Sequence, residues 1–338
     1  MLLLSISAGA CTEREGSPGG AEEGVSQVLT GPYLGEQPPG LVPAIFAPGV
    51  VSTAAFELNS AFTPDGRELY QSLVVSGFDF SVILSRRERA DGWSDPDVAP
   101  FSGRYNDIDP NLAPDGNSLF FISRRPQQPT GNELSGAWDI WKVTRPDQNS
   151  PWGDAVALPE PVNSEAAELY PSVANSGTIY FGSKREGGFG EFDIYRAELT
   201  DQGYTEVENL GASINSEHSE TDAFIAPDES FIVVTITGRP DSRGKNDLYI
   251  SFLQEDGSWG ELHQMGDSIN SPAKEYCPVV TPDGKYFFFT RGKDDTLRLH
   301  SNQQKSYQEL AEMTYSWRNN LENIYWVSSE VLQQKAYE

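Results

Sequence analysis

Carboxylates at related positions along this 338-residue chain are the side chains best suited to chemistry. An acid stands seven residues before each of five similar turns, and these acids are Glu57, Asp107, Glu168, Glu220 and Glu275. Asp109 and Asp222 each lie two residues after one of them and so face the same side of their strand. Carboxylates gathered from separate segments can hold a cation or a cationic group. Two carboxyls about 5–10 Å apart can also act as general acid and base on a glycosidic bond.

The regular recurrence of the five acids also has a structural explanation. A residue that returns in every unit of a repeat usually binds the backbone or a neighbouring unit. We therefore expect most of the five to be structural. Asp109 and Asp222 do not recur in every unit, which makes them better candidates for contact with a ligand. The full set of candidate ligand-binding residues is Asp107, Asp109, Glu168, Glu220, Asp222 and Glu275.

No catalytic or cofactor motif accompanies these acids. The chain has three histidines and lacks the HExxH, CxxC, P-loop, GxSxG and EF-hand patterns. His218 stands two residues before Glu220, which is compatible with a general base and equally with chance. The sequence therefore assigns no catalytic residue and no metal site, and we expect no cofactor.

The turns that follow the acids define a repeat. They occupy residues 64–66, 114–116, 175–177, 227–229 and 282–284, at intervals of 50, 61, 52 and 55 residues. Most read Pro-Asp-Gly, in which proline sets φ, aspartate binds its own backbone and glycine accepts a positive φ. Short apolar runs between the turns predict about four antiparallel strands in each unit. Units of this length and strand number are typical of propeller blades.

A second repeated feature predicts how the ring closes. A triplet of an apolar residue, Asn or Ser, and a small residue precedes each acid, at residues 51–53, 101–103, 162–164, 214–216 and 269–271. Residues 41–51 resemble the segments that lead into the later triplets, yet no unit precedes them. We expect this segment to complete the last blade, because an open ring would leave unpaired strand edges. The predicted fold is all-β, a five-bladed β-propeller closed by an N-terminal strand.

Two insertions interrupt the repeat between the second and third strands, at residues 126–137 and 292–322. In the later one, Ser306 and Glu309 fit a capping box and predict a short helical insertion in the last blade. Its apolar side chains are expected to pack on the propeller, and they are Leu310, Met313, Trp317 and Leu321. Propeller topology places both insertions and the repeated acids on one face, called here the acid face. The Pro-Asp-Gly turns lie on the other, the turn face, and loop elaborations favour the acid face for binding.

Arginines in four units predict a further structural contact. Arg125, Arg185, Arg239 and Arg291 precede the third strand, and Asp139, Asp193 and Asp247 open it in three units. We expect these three units to pair their Arg and Asp at a corner that fixes the loop, since guanidinium and carboxylate match in bidentate geometry.

This pattern resembles the WD40-like Pro-Asp propeller family, whose repeats occur in TolB-type periplasmic proteins. The resemblance rests on the Pro-Asp-Gly turns and on residues 183–188, 193–195 and 210–216, and it extends over about residues 41–330. It implies the fold and allows many functions, because the family includes envelope interaction proteins and lipoproteins.

Composition restricts the partner and suggests the compartment. The formal charge of −26 and the pI near 4.4 argue against nucleic acid or an anionic membrane surface, and favour a cationic ligand or a basic partner. Residues 1–10 are apolar and small, and Ala8-Gly9-Ala10-Cys11 resembles the lipobox at which bacterial lipoproteins are cleaved and lipidated. The predicted organisation is a signal and lipobox over 1–11, a flexible tether rich in Gly, Pro, Glu and Ser over 12–40, and the propeller over 41–338.

Two functions follow from these observations. The first is a non-enzymatic scaffold that binds an envelope protein or a saccharide ligand in the periplasm or at the outer membrane, monomeric and held to the membrane only by a lipid anchor. The second is a carbohydrate-active enzyme, either a glycoside hydrolase or a polysaccharide lyase, with carboxylate chemistry on the acid face.

Overall fold

The computed structural model describes residues 28–75, 77–127, 137–294 and 304–333, which form a five-bladed β-propeller. The predicted fold class is therefore confirmed. The first strand is β1 (Ala44–Ile45). Blade I contains β2 (Phe56–Phe62), β3 (Glu68–Val75), β4 (Phe80–Arg89), β5 (Gly92–Trp93) and β6 (Asp97–Val98). Blade II contains β7 (Asp107–Leu112), β8 (Ser118–Ser123), β9 (Asp139–Thr144) and β10 (Val156–Ala157).

The remaining three blades follow the same antiparallel order from the centre outwards. Blade III contains β11 (Glu168–Val173), β12 (Ile179–Ser183), β13 (Asp193–Ala197), the hairpin β14 (Leu199–Thr200) and β15 (Gly203–Tyr204), and β16 (Glu208–Asn209). Blade IV contains β17 (Ser219–Ile225), β18 (Phe231–Thr237), β19 (Asn246–Phe252) and β20 (His263–Gln264). A short helix, α1 (Gly266–Ile269), leads to blade V. Blade V contains β21 (Glu275–Val280), β22 (Tyr286–Arg291) and β23 (Asn323–Ser328), with α2 (Tyr307–Tyr315) in its insertion.

The N-terminal strand closes the ring, as the sequence predicted. Strand β1 pairs antiparallel with β23, with Ala44 opposite Trp326 and Ile45 opposite Tyr325. The Phe46 N–H then donates to the Ile324 carbonyl at 2.8 Å. Blade V therefore has four strands like its neighbours, and the outer edge of β23 is covered.

The repeated Asn/Ser triplet joins each blade to the one before it. Asn163 binds both the N–H and the carbonyl of Ile140 in β9, at 2.8 and 3.0 Å. Asn215 and Asn270 make the same pair of bonds to β13 and β19. Ser52 repeats the contact at the closure, where its hydroxyl accepts from Ile324 N at 3.1 Å. The triplet recurs because it connects successive blades, including the last to the first.

Part of the predicted tether packs on the propeller. Tyr33 is 6% exposed and Leu34 is 1% exposed, in a core cluster with Phe46 and Trp326 between blades V and I. The Trp93 indole donates to the Gly31 carbonyl at 2.8 Å. Residues 12–27 of the predicted tether, and Cys11 with the lipobox, lie outside the described residues. The packing of residues 28–40 therefore extends the propeller in the N-terminal direction.

The capping box predicted for the helical insertion is confirmed. Ser306 and Glu309 exchange side-chain and backbone hydrogen bonds at the start of α2. The expected packing of its apolar stripe is wrong, because Leu310 is 47% exposed and the helix ends before Trp317 and Leu321. The insertion is held instead by polar contacts such as Asn319 Nδ2 to the Ala54 carbonyl at 2.9 Å. Within the described part of the chain, neither this helix nor any other is long and apolar enough to cross a membrane.

Candidate binding site in the central channel

The inner strand of every blade is interrupted by a β-bulge at the same place. The register shifts two residues after the repeated acid in β2, β7, β11, β17 and β21. The residues at these positions are Asn59, Asp109, Tyr170, Asp222 and Cys277, called here the channel cluster. Bulges redirect a side chain and are frequent at functional sites.

Contacts across the ring place this cluster in the central channel. The Tyr170 hydroxyl of blade III donates to the Pro278 carbonyl of blade V at 2.9 Å. The Tyr170 side chain therefore extends past the inner strand of blade IV to reach blade V. The Cys277 N–H of blade V donates to Asp222 Oδ2 of blade IV at 3.1 Å. Inner strands surround the channel of a propeller, and only side chains directed into it can meet in this way.

The backbone at the cluster is held in an unusual conformation. Asn59, Asp109, Tyr170 and Cys277 have φ values of 62°, 58°, 46° and 54°. Asn and Asp tolerate this left-handed region, whereas Tyr and Cys are strained there. Such strain persists where the surrounding fold imposes it, and it is concentrated at functional sites. The same departure in four of the five blades marks the channel cluster as a candidate site.

A serine of blade I fixes the orientation of Asn59. The Ser72 hydroxyl accepts from the Asp109 N–H at 3.1 Å and donates to Asn59 Oδ1 at 2.9 Å. The Asn59 amide nitrogen is therefore directed away from Ser72. The Asn59 amide nitrogen is buried and has no hydrogen-bond partner of good geometry. Burial raises the pKa of the Asp109 carboxyl, and the nearby Asn59 side chain opposes that effect without outweighing it. The amide nitrogen is a donor available to a bound group.

The two aspartates are an unlike pair. Burial, and then the charge of Asp222, raise the pKa of Asp109 well above its usual range. Burial raises the pKa of Asp222 to about 6, against the opposing effect of hydrogen bonds from Cys277 and Thr221. Burial also raises the pKa of the Tyr170 hydroxyl and the Cys277 thiol. The ionised form of Asp109 is therefore disfavoured in the folded protein, both by burial and by the charge of Asp222.

The five repeated acids lie above the cluster and are each at most 3% exposed. Glu168 accepts from Ser164 N and Oγ at 3.2 and 2.6 Å and from Arg185 at 2.9 Å. Glu275 repeats these contacts with Ser271 and Arg291, and Asp107 is bound by Ser102, Ser123 and Arg125. This geometry explains why an acid recurs in every blade. Ligand contact by these residues stays a prediction.

Glu220, the repeated acid of blade IV, is not bound by Arg239, unlike the acids of blades II, III and V, which are bound by arginines. Arg239 binds Asp241 through Nε and Nη2 at 3.0 and 3.2 Å. Glu220 keeps the bonds from Ser216 N and Oγ at 3.1 and 2.6 Å. Burial raises the pKa of Glu220 to about 7.

The predicted Arg–Asp corner is wrong, since the arginines bind the inner-strand acids instead. Arg125 binds Asp107, and Arg185 binds Glu168 while its guanidinium lies over the Phe181 ring. Asp193 accepts two loop N–H groups, from Phe189 at 2.7 Å and Gly190 at 3.0 Å, and Asp247 does the same with Arg243 and Gly244. The loop amides are only three or four residues away and satisfy the third-strand aspartates locally. In blades II and III the arginines therefore bind the inner-strand acids, whereas Arg239 of blade IV binds Asp241.

Sequence reasoning identified Asp109 and Asp222 and missed the other three members of the channel cluster. Asn59, Tyr170 and Cys277 share their position with the aspartates but not their chemistry. A comparison of the residue two positions after each acid would have found all five. Asn319 of the later insertion contacts Ala54, near the repeated acid of blade I, and residues 128–136 and 295–303 of the two insertions lie outside the described residues. Among the described ranges, no group of three or more His, Cys, Asp or Glu side chains is arranged to hold a metal ion.

The channel is narrow on the turn-face side of the cluster. A small cavity of about 30 Å³ lies there, and its lining includes Ser60, Asn111, Ser172 and Phe224. A space of this size holds one or two water molecules. This cavity is too small for a larger ligand.

The raised pKa values predict that the protein becomes less stable as the pH rises. Glu220 and Asp222, with pKa values of about 7 and 6, bind protons in the folded state that the unfolded chain has already released. Their contribution is present at low pH and is lost as the pH rises through those values. We expect the free energy of unfolding in urea to fall by a few kcal/mol between pH 5.5 and 8. A flat or rising profile would contradict this, and Glu220→Gln should reduce the slope.

Comparison with protein-family models and with curated proteins finds no match. Among solved structures, a glycoside hydrolase is 13% identical with a TM-score of 0.52, over 88% of this chain and 93% of that one. TolB from Acinetobacter baumannii is 15% identical with a TM-score of 0.45, over 71% of this chain, which spans about half (52%) of the TolB chain. An α-L-arabinofuranosidase from Lactobacillus brevis is 14% identical with a TM-score of 0.45, over 81% and 90% of the two chains. At these identities the likeness shows the propeller fold alone.

Proposed function

We propose that this protein is a non-enzymatic binding scaffold of the bacterial cell envelope, and that its ligand places a cationic group against Asp109 and Asp222. The observation that carries the proposal is the position of these two carboxyls, from blades II and IV, at equivalent bulges of the channel cluster, where the charge of Asp222 acts on Asp109. The repeated acids are already bound by hydroxyls, amides and arginines, so the aspartate pair is the group left for a ligand.

A cationic ligand suits the electrostatics of the pair. A positive group between the carboxyls favours their charged forms, because an opposite charge lowers the pKa of a carboxylate. Binding should then release a proton and become tighter as the pH rises from 5 to 8. The charge of −26 on the whole chain attracts the same class of ligand over a longer range.

The test uses lysine- and arginine-containing peptides as probes and isothermal titration calorimetry in two buffers of different ionisation enthalpy. Asp109→Asn and Asp222→Asn should each weaken binding at least tenfold and remove the proton release. Asp115→Asn, on an exposed turn of the opposite face, is the matched control and should bind like the wild type. Equal affinity of the wild type and both channel variants would exclude this site.

A carbohydrate-active enzyme is the second candidate, favoured by the difference between the two aspartates. Two carboxyls of one channel whose environments separate their pKa values, with Asp109 raised well above its usual range and Asp222 at about 6, are the arrangement used for general acid and base. A panel of neutral and acidic polysaccharides should therefore be assayed for new reducing or unsaturated ends. Turnover by the wild type that is lost in Asp109→Asn would replace the scaffold proposal with an enzyme.

The envelope location makes a separate prediction about Cys11. Ala8-Gly9-Ala10-Cys11 follows an apolar run, which supports lipidation of this cysteine. Metabolic labelling with a fatty-acid analogue in a bacterial host should mark the wild type and not Cys11→Ser. The second cysteine, Cys277, is buried and serves as an internal control for labelling of thiols in general. Equal labelling of both proteins, or of neither, would contradict the anchor.

A further inference from the structure

A segment of this chain occupies a gap between two blades on the turn face. The Tyr33 ring packs edge-on against Phe62 of blade I and Tyr286 of blade V, with centroids 4.9 and 5.0 Å apart. Its N–H donates to the Gly66 carbonyl at 2.9 Å. The Tyr33 hydroxyl lies beside Thr281 and Asp283, and burial raises its pKa. We call this position the V–I gap.

The equivalent position between blades IV and V is an open groove. It has a volume of about 730 Å³ and is called here the IV–V groove. Five of its lining residues hold the same places in the repeat as the five contacts of Tyr33. The counterparts of Phe62, Gly66, Tyr286, Thr281 and Asp283 are Val280, Gly284, Phe231, Ala226 and Asp228.

The IV–V groove is apolar inside and acidic at its rim. Phe231, Phe252 and Leu332 line the interior, and Leu253 is 37% exposed at the edge. Asp228 and Glu330 are exposed at the rim. The Gly284 carbonyl accepts from the Ser329 hydroxyl at 2.5 Å and keeps a second lone pair for an incoming N–H.

We propose that the IV–V groove binds an extended segment of a partner protein that carries an aromatic residue followed, within about three residues, by a basic one. The aromatic ring would enter between Phe231 and Val280, as Tyr33 does between Tyr286 and Phe62. The basic residue would meet Asp228 or Glu330. A second copy of this chain is disfavoured as the occupant, since two molecules of charge −26 repel each other.

This surface goes beyond the channel site and is independent of it. The IV–V groove lies on the turn face, and its lining includes neither aspartate of the central channel. The two sites can therefore be occupied at the same time, and a propeller with a ligand on each face could bridge two partners.

The probe is a fluorescein-labelled peptide, Thr-Gly-Pro-Tyr-Leu-Gly-Lys, which copies residues 30–35 and adds a lysine. The V–I gap is already filled by Tyr33, and a cleft also lies at the equivalent position between blades II and III, so the variants of groove residues assign the binding to the IV–V groove. We expect fluorescence anisotropy to show binding that falls at least tenfold for Leu253→Glu and for Phe231→Ala. It should be unchanged for Val156→Glu, an exposed apolar residue on blade II. The peptide with Ala in place of Tyr should not bind.

Several results would overturn the proposal. One is the absence of saturable binding, and another is equal binding by Leu253→Glu and Val156→Glu. Leu253 is exposed, so this comparison holds even where Phe231→Ala fails to fold. Dimerisation in sedimentation experiments that is lost in Leu253→Glu would identify a second copy as the occupant. Tighter peptide binding after removal of residues 334–338 would identify that tail as the occupant.

Discussion

Removal of residues 1–46 is expected to lower the melting temperature by more than about 10 °C, or to prevent folding. The deletion takes away β1 and exposes the outer edge of β23. It also removes Tyr33, Leu34 and Phe46 from the core cluster between blades V and I. Loss of a buried large side chain typically costs about 3–5 kcal/mol. Three such losses at the closure of the ring are a large part of the stability of one domain.

Shorter deletions separate the closure from the segment before it. Removal of residues 12–27 should leave the melting temperature within about 2 °C, because the packing observed begins later in the chain. Removal of residues 12–38 should have an intermediate effect, since it eliminates Tyr33 and Leu34 and keeps β1. Differential scanning calorimetry of the three deletions gives the comparison. Equal melting temperatures for the longest and the shortest deletion would show that β1 does not close the ring.

The fold was predictable because its information is local and repeated. Each turn and each Asn or Ser of the triplet is determined by a few neighbouring residues, and five copies in one register leave little ambiguity. The closing strand was predictable for the same reason, since residues 41–51 resemble later segments with a known place in the repeat. The docking of Tyr33 was not predictable in this way. Tyr33 and Leu34 are buried, but the stretch around them is rich in Gly and Pro and therefore has the composition of a tether.

The contacts of the site were harder to predict, because several partners lie within reach of one side chain. Arg185 could meet Glu168 or Asp193, and sequence spacing does not distinguish them. Burial does not distinguish these acids, since both are inaccessible to water and neither can be left unpaired without cost. Asp193 has the loop amides of Phe189 and Gly190 as alternatives. The shared position of Asn59, Tyr170 and Cys277 was not recognised in the sequence, because the members of the channel cluster have the β-bulge in common and not the residue type.

Replacement of a repeated acid and of a channel acid should have opposite effects on stability. Glu168→Ala leaves Arg185 and the Ser164 N–H without their buried partner, and we expect a loss of about 3 kcal/mol in the free energy of unfolding. Glu165→Ala, at an exposed neighbouring position, is the control and should change it little.

Asp109→Asn should not destabilise the protein at pH 8, and we expect a gain in the free energy of unfolding. Asp109 is half-buried in the channel, and burial and the charge of Asp222 both oppose its charged form. An amide has no charge to desolvate and is not repelled by Asp222. The folded state of the variant therefore lacks both of these unfavourable contributions to its free energy. The gain should be smaller at pH 5, closer to the pKa of about 3.9 of the unfolded carboxyl, because the penalty for keeping Asp109 protonated in the folded state grows as the pH rises above that value. Urea unfolding of wild type and Asp109→Asn at the two pH values measures this difference. A loss at pH 8 as large as that of Glu168→Ala would make Asp109 a structural acid and would remove the basis for a ligand at the channel cluster.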